Sequence, residues 1–404
     1  MNFWRSGGIT AAVLIFLGSG FSQGQTPQQT GTAPAPVIGV SASPLMPALA
    51  RIPAPDDPLE MVREGAQTVE TAQERSDAVN LLIKAERLSN VRAQAYDLKT
   101  SFTTYGSLPS DGRWILEDIS PSRDVYRWTA QGPGFSGVYL YNNRMLLSNQ
   151  PAGTVPLRLT QVREALFFIY PPLGPRIGMR TATVNGASGQ LRCVLVARRL
   201  ASLAGVTFSS GRSFEESEYC VDGMSGLLAS YSPVPGLYVR YDYSSAIKFH
   251  DHLIPSGFTI SENGHTVIEA RTDNVSDPPD VNHSLFQTEG LSQVGVGSIM
   301  EPALMVWGNQ PSTAATGTQV VVVHGTVSSD GRLGEPEILA STDSALNDEA
   351  LQHVNRAHAL QIDQDLQPGT TPETREAFFV VRFDPPRPCP QSSFIAGVGC
   401  ARSN

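Results

Sequence analysis

The stretch GRWILEDISPSRDVYRWTAQGPGFSGVYLYNNRMLLS, Gly112–Ser148, carries the pattern that decides the fold. Short runs rich in β-branched and aromatic residues alternate with Gly, Pro, Asn and Asp turns, the signature of antiparallel strands. Tyr126 and Trp128 share one face of their run, and Tyr139 and Tyr141 share one face of the next. The segment YNNRM, Tyr141–Met145, suits a hairpin turn because Asn tolerates positive φ. The same texture reaches back to AYDLKTSFTTYG, which starts at Ala95, and forward to GHTVIEARTDNV, which ends at Val275. So many evenly spaced strands predict a sheet, half-barrel or barrel. A curved sheet with an aromatic inner face either fills its interior with side chains or encloses a ligand. Tyr126, Trp128, Tyr139 and Tyr141 are therefore the candidate wall of an apolar-ligand cavity, set against the plainer reading of a β-domain core.

Outward from this region the texture changes. Ala78, Leu81, Leu82, Ala85 and Leu88 recur near the helical period in a Gly- and Pro-poor segment, which predicts a packing helix ahead of the strands. A second helix interrupts the strands at LRLTQVREALFFIY, before Pro171-Pro172. The C-terminal part reads as strand Val320–Ser328, a turn at Asp330-Gly331, strand Gly334–Ala340, helix Asn347–Ala359 and strand Ala377–Phe383. Ser344 stands as the helix start signal, with Asp348 and Glu349 in the first turn. The fold class expected is α+β: a half-barrel-like antiparallel domain with an N-terminal helix, and a small α+β C-terminal domain.

The chain has 404 residues, 41% hydrophobic and 17% charged, with a formal net charge of −9. That is material for packed cores rather than disorder, and an acidic balance speaks against a nucleic-acid partner. Arg5 followed by the apolar run Ile9–Leu17 and small residues at Ser22-Gln23-Gly24 reads as an export signal cleaved after Gly24. The run is short for a bilayer span of roughly 20 residues. Expected segments are a signal peptide (1–24), a Pro-rich linker (25–58), helix plus β domain (59–290), a second linker (291–317), the C-terminal domain (318–385) and a tail (386–404). Four cysteines in an exported chain point to disulfides. Cys193 and Cys220 lie in two strand-like runs, and Cys389 and Cys400 bracket the tail, which favours Cys193–Cys220 and Cys389–Cys400. The first bridge should stabilise by about 2–4 kcal/mol.

Candidate catalytic and metal chemistry is thin. His250 and His252 in KFHDHLIPSGF would share a strand face and could chelate a metal, but no further ligand is indicated nearby. His324, His353 and His358 read as surface or interface histidines. Ser213 and Ser225 sit in loops without a nucleophile elbow, and Glu215 and Glu216 read as a solvated loop. No phosphate-cradling glycine loop follows a strand. The expectation is no enzyme, no cofactor and no metal, with a secreted hydrolase working through Ser213, Ser225, His250 or His252 as the alternative to test.

Two resemblances bear on function. VVVVHGTVSSDGRLGEPEILASTDSALNDEALQHV, followed by AFFVVRF, resembles the TonB C-terminal domain family, with Asp330-Gly331 at the turn and LNDEAL at the helix start. Asn347 replaces the usual acidic residue there. The resemblance implies a periplasmic docking module that adds a strand to a protein partner, such as an outer-membrane transporter, with Phe378, Phe379, Val380, Val381, Arg382 and Phe383 as the docking edge. YDLKTSF, GRWILEDISPSRDVYRW, GVYLYNNRMLL and YCVDGMSGLLASY are similar in pattern to the periplasmic lipoprotein-carrier (LolA-like) class. That resemblance implies a curved half-barrel with a cavity for acyl chains. The expected function is an exported cell-envelope binding protein with a TonB-like C-terminal docking domain, taking part in periplasmic or outer-membrane transport. The alternative is a TonB-type energy transducer anchored in the inner membrane by residues 9–21.

Overall fold

The computed structural model describes residues 52–53, 64–69, 71–122, 124–150, 155–167, 177–186, 189–197, 211–214, 216–294, 302–328, 333–356 and 374–385. The chain divides into residues 1–44 and 45–404, and every described residue belongs to the second unit. The export signal, most of the Pro-rich linker, Glu215, the Asp330-Gly331 turn, His358, Cys389 and Cys400 lie outside the described residues.

Two antiparallel meanders build the large sheet. The first runs through β3 (Tyr96–Thr104), β4 (Arg113–Ser122), β5 (Val125–Gly132), β6 (Phe135–Asn142) and β7 (Met145–Ser148). The second runs through β8 (Met179–Gly186), β9 (Gly189–Ala197), β10 (Glu216–Asp222), β11 (Leu228–Ser232), β12 (Leu237–Asp242), β15 (Gly257–Glu262) and β16 (His265–Ser276). They join where β16 pairs with β3, Ala270 opposite Phe102. β17 (Ser292–Val294) and β2 (Glu64–Thr68) end the path, β1 (Ile52–Pro53) adds to β16, and β13 (Ile247–Phe249) with β14 (His252–Ile254) forms a separate hairpin. The Asn143-Arg144 turn of the opening stretch has φ of 50° and 65°, as a two-residue hairpin of this hand requires. Cys193 and Cys220 face each other across β9 and β10 and are bridged, S–S 2.04 Å.

The helices fill the inner face. α1 (Ala72–Ser89) starts with a capping box between Thr71 and Glu74 and buries Ala78, Leu82 and Ala85, the face expected from the periodicity. Residues 64–68, in the charged segment ahead of it, form β2. α2 (Leu157–Phe167) links β7 to β8, strands near opposite ends of the sheet, so the connection must cross it. It crosses on the inner side, where Leu159, Val162 and Ala165 join one apolar cluster with Leu98, Trp128, Val194, Val239 and Ile260.

The C-terminal sheet has the order β18-β21-β19-β20, formed by β18 (Ala303–Pro311), β19 (Gln319–Ser328), β20 (Leu333–Ser341) and β21 (Thr374–Asp384). Two features correct the expectations. The segment 291–317 contains β17 and β18, so it is part of both sheets rather than a plain linker. And Phe378–Phe383 is no edge: β21 pairs in parallel with β18 on one side and antiparallel with β19 on the other, which uses both sets of its backbone groups. The outer strands of this sheet are β18 and β20.

Both faces of this sheet are covered. Val321, Val323, Phe379, Val381 and Phe383 pack with Ala350 and Val354 of α3 (Asn347–Arg356) and with Leu346 of the turn before it. The alternate residues Val320, Val322, Phe378 and Val380, with Leu339 and Ala340 of β20, belong to the same apolar cluster as the half-barrel's inner face. This second contact makes the C-terminal sheet a cap on the half-barrel. Gly236, in the β11–β12 turn at φ 90°, marks how tight it is: a Cβ there would stand 2.1 Å from the Leu339 carbonyl oxygen of β20.

Candidate functional site

The half-barrel interior holds the expected ligand wall and, elsewhere along α2, receives the cap. Trp128 and Tyr139 oppose each other across β5 and β6 and stack at 4.0 Å, both fully buried. Tyr126 and Tyr141 form the next cross-strand pair, stacked at 4.9 Å and packed against the same core. The structure thus brings the four aromatic residues together facing inward, but packed on α2: the Arg163 guanidinium lies 4.3 Å from the Trp128 ring centroid. The enclosed space between α2, β12, β15 and the cap, lined by Gln161, Glu164, Tyr231, Val239, Ile260 and Glu376, measures about 10 Å3. That is room for about one water, not for an acyl chain.

α2 carries its polar side chains into this interior. Arg158, Gln161, Arg163 and Glu164 are all buried, and buried charge is tolerated only when paired. At the C-terminal half, Arg163 Nη2 meets Asp118 Oδ2 at 3.4 Å, and the Tyr96 hydroxyl donates to Asp118 Oδ1 at 2.9 Å. Burial pushes the Asp118 carboxyl up, with Arg163 and Tyr96 opposing it, and burial next to Asp118 pushes the Tyr96 phenol well up.

At the N-terminal half a larger cluster crosses to the cap. Arg158 Nη1 stands 2.9 Å from Glu262 Oε2, and its Nε 3.6 Å from Asp111 Oδ1. Gln161 Nε2 donates to Glu262 Oε1 at 2.6 Å. His324 of β19 completes the group: Nδ1 lies 3.2 Å from Glu262 Oε1 and Nε2 2.7 Å from Glu376 Oε1, with the ring stacked on Phe378 at 5.0 Å. Burial alone would push His324 down, but hydrogen bonds and charge from Glu262 and Glu376 outweigh it and hold the imidazole at about 10. Burial likewise opposes the Glu262 carboxylate, yet Arg158 and His324 hold it well below the usual range. His324 is therefore an imidazolium that reaches from the cap into a carboxylate socket of the half-barrel.

The other candidate residues are dispersed. His250 sits in the β13–β14 turn at φ 50°, 2.9 Å from Asp277, so it shares no strand face with His252. Among the described residues no group of three His, Cys, Asp or Glu is placed to hold a metal ion. The Ser225 hydroxyl donates to Asp222 Oδ1 at 2.8 Å inside its own turn, and the Ser213 amide donates to Glu216 Oε2 at 2.8 Å. Glu216 is not in a solvated loop but buried under a bidentate contact from Arg180, 2.7 and 2.9 Å. His353 is half-exposed beside Glu349. On the outer face, open grooves of about 670 and 700 Å3 flank Glu269 and Arg271, with Arg240 in one and Arg113 in the other. They have mixed charge and no enclosed floor.

Sequence reading missed Arg158, Glu262 and Glu376 and gave His324 no specific role. The available signals were polar residues on every side of a short helix in an apolar setting, and a histidine closing a run of four valines. A run apolar at successive positions belongs to a strand covered on both faces.

No family model matches the chain, and no curated protein matches it. Neither comparison supports the TonB likeness. Among the described residues, no helix is long and apolar enough to cross a membrane. Two solved structures are similar. A LolA superfamily protein from Nitrosomonas europaea shares 13% identity, covering 52% of this chain and 97% of that one, with a TM-score of 0.29. A Vibrio parahaemolyticus domain assigned to outer membrane lipoprotein sorting shares 5% identity, covering 50% and 92%, with a TM-score of 0.31. At these scores the likeness carries no functional weight.

Proposed function

We propose that the chain is an exported, non-catalytic binding protein of the cell envelope, whose half-barrel takes an apolar ligand when the C-terminal cap moves away. One observation supports this above the others. The cap's inner face and the half-barrel's inner face form a single apolar cluster, although the cap has a second core of its own beneath α3. A sheet with its own core can leave and return as a unit, and the surface it uncovers is apolar on both sides. The export reading rests on the Arg5–Gly24 pattern and fits a bridged cysteine pair.

The test is titration of the purified full chain with N-phenyl-1-naphthylamine, an uncharged apolar dye, together with mass spectrometry of extracted lipids. A saturable fluorescence rise near one dye per chain, or a co-purifying lipid, is expected. Neither saturable binding nor lipid would contradict the reading. The sheet order favours one second reading, protein docking by strand addition at β18 or β20, the outer strands of the cap. A partner whose binding survives proline substitution in both strands would rule it out.

A further inference from the structure

The chemistry of the closed interface also points to the kind of ligand. Between cap and half-barrel the apolar cluster is continuous, and charge crosses at the Arg158 cluster, where His324 of the cap meets Glu262. On the half-barrel side Glu262 and Asp111 surround one guanidinium, Arg158, and Glu164 lies nearly two turns further along α2, accepting from the Tyr231 hydroxyl at 3.2 Å. With His324 withdrawn, this socket holds more carboxylates than cations. Glu262 is 1% exposed with the cap docked, so a ligand that covers the socket in the cap's place removes water from this carboxylate again and is favoured if it supplies a cation there. On the cap side His324 is shared with Glu376, and Glu335 and Glu337 stand near enough to act on Arg158 and on one another.

The cap's inner face is itself an apolar surface, Val320, Val322, Phe378 and Val380, and it carries the His324 ring to Glu262 with Glu376 on the ring's other nitrogen. We infer that it stands in for the ligand, and that the half-barrel takes an amphiphile with a cationic head group, an amine or quaternary ammonium, seated against Glu262 in the place of the His324 ring. This rests on the binding reading above and adds the charge of the ligand to it. An anionic amphiphile of equal length would bury a negative head beside Glu262 and Asp111 and is disfavoured by like-charge repulsion.

The test needs no variant. Dodecylamine and dodecanoate, both ionised at neutral pH, are compared below their micellar concentrations as competitors for N-phenyl-1-naphthylamine on the wild-type full chain. Dodecylamine should displace the dye at about tenfold lower concentration or less, and added salt should narrow the gap. Glu262→Gln should reduce the preference several-fold; if that variant does not fold, the wild-type comparison decides alone. Equal or better displacement by dodecanoate would overturn the cationic head group while leaving the binding reading intact. Failure of the dye and both amphiphiles to bind would overturn both.

Discussion

The two ends of α2 hold similar chemistry in different settings. Each presents a buried arginine to a buried carboxylate, Arg158 to Glu262 and Arg163 to Asp118. Around Arg163 everything belongs to the half-barrel: Trp128, Phe167, Tyr96 and Asp118. Around Arg158 the set is completed by His324, from a sheet with its own core. A buried ion pair is weak evidence of stabilisation, because desolvation offsets the attraction. What distinguishes the Arg158 end is that its third member arrives from another sheet, so it registers the docking of the cap as well as the packing of the helix.

The largest expected effect breaks the Arg158 end outright. Arg158→Ala leaves Glu262 and Asp111 buried without their guanidinium and should cost about 3–5 kcal/mol in denaturant unfolding. A loss under about 1 kcal/mol would show that the cluster is solvated rather than sealed.

Proton linkage sharpens the comparison, because the two ends have opposite signs. Asp118 is raised, so the folded state binds its proton more readily than the unfolded chain, and this group adds stability as pH falls toward the ordinary carboxylate range. Glu262 is depressed, so its contribution is present above the unfolded value and lost as pH falls through the folded one. Comparing acid unfolding of Asp118→Asn with that of Glu262→Gln should show the acid-side gain removed in the first and the acid-side loss removed in the second. The same sign in both variants would refute the assignment. His324, raised to about 10, contributes stability that is full below the ordinary histidine value and lost as pH rises through about 10. The contribution is on the order of a few kcal/mol. Thermal unfolding between neutral and alkaline pH should therefore fall more steeply for wild type than for His324→Leu.

The smallest effect is the control. Lys99 and Glu117 pair at 3.0 Å on the outer face, 49% and 29% exposed, and Lys99→Ala should cost no more than about 1 kcal/mol and respond to salt.

Much of the half-barrel is legible because its strands are half-covered. Tyr126 and Trp128, and Tyr139 and Tyr141, repeat at the two-residue period of a face turned inward, and Ala78, Leu82 and Ala85 repeat at the helical one. The Cys193–Cys220 bridge follows from two strand-like runs. The cap is legible as an order of elements but not as a position. Its strands read as edge material because AFFVVRF shows β-propensity without saying how many neighbours β21 has, and β18 lies in a segment that looks like linker. The polar site is the least legible part. Arg158 and Glu262 are separated by the strands β8 to β12, and His324 and Glu376 by a strand and a helix, so only three-dimensional pairing brings them together.

The most direct measurement of the central claim, that the cap and a ligand compete for one surface, is equilibrium binding of N-phenyl-1-naphthylamine to the wild type and to Gly236→Val. A valine at 236 cannot coexist with the Leu339 carbonyl at its present distance, and its φ of 90° is unfavourable for a β-branched residue. The variant should therefore shift the chain toward the undocked state, and apparent affinity scales with the open fraction. Binding about tenfold tighter in Gly236→Val, with the far-ultraviolet circular dichroism unchanged, is the predicted result. Equal or weaker binding by a variant shown to be undocked, by faster hydrogen exchange in the cap, would contradict the account.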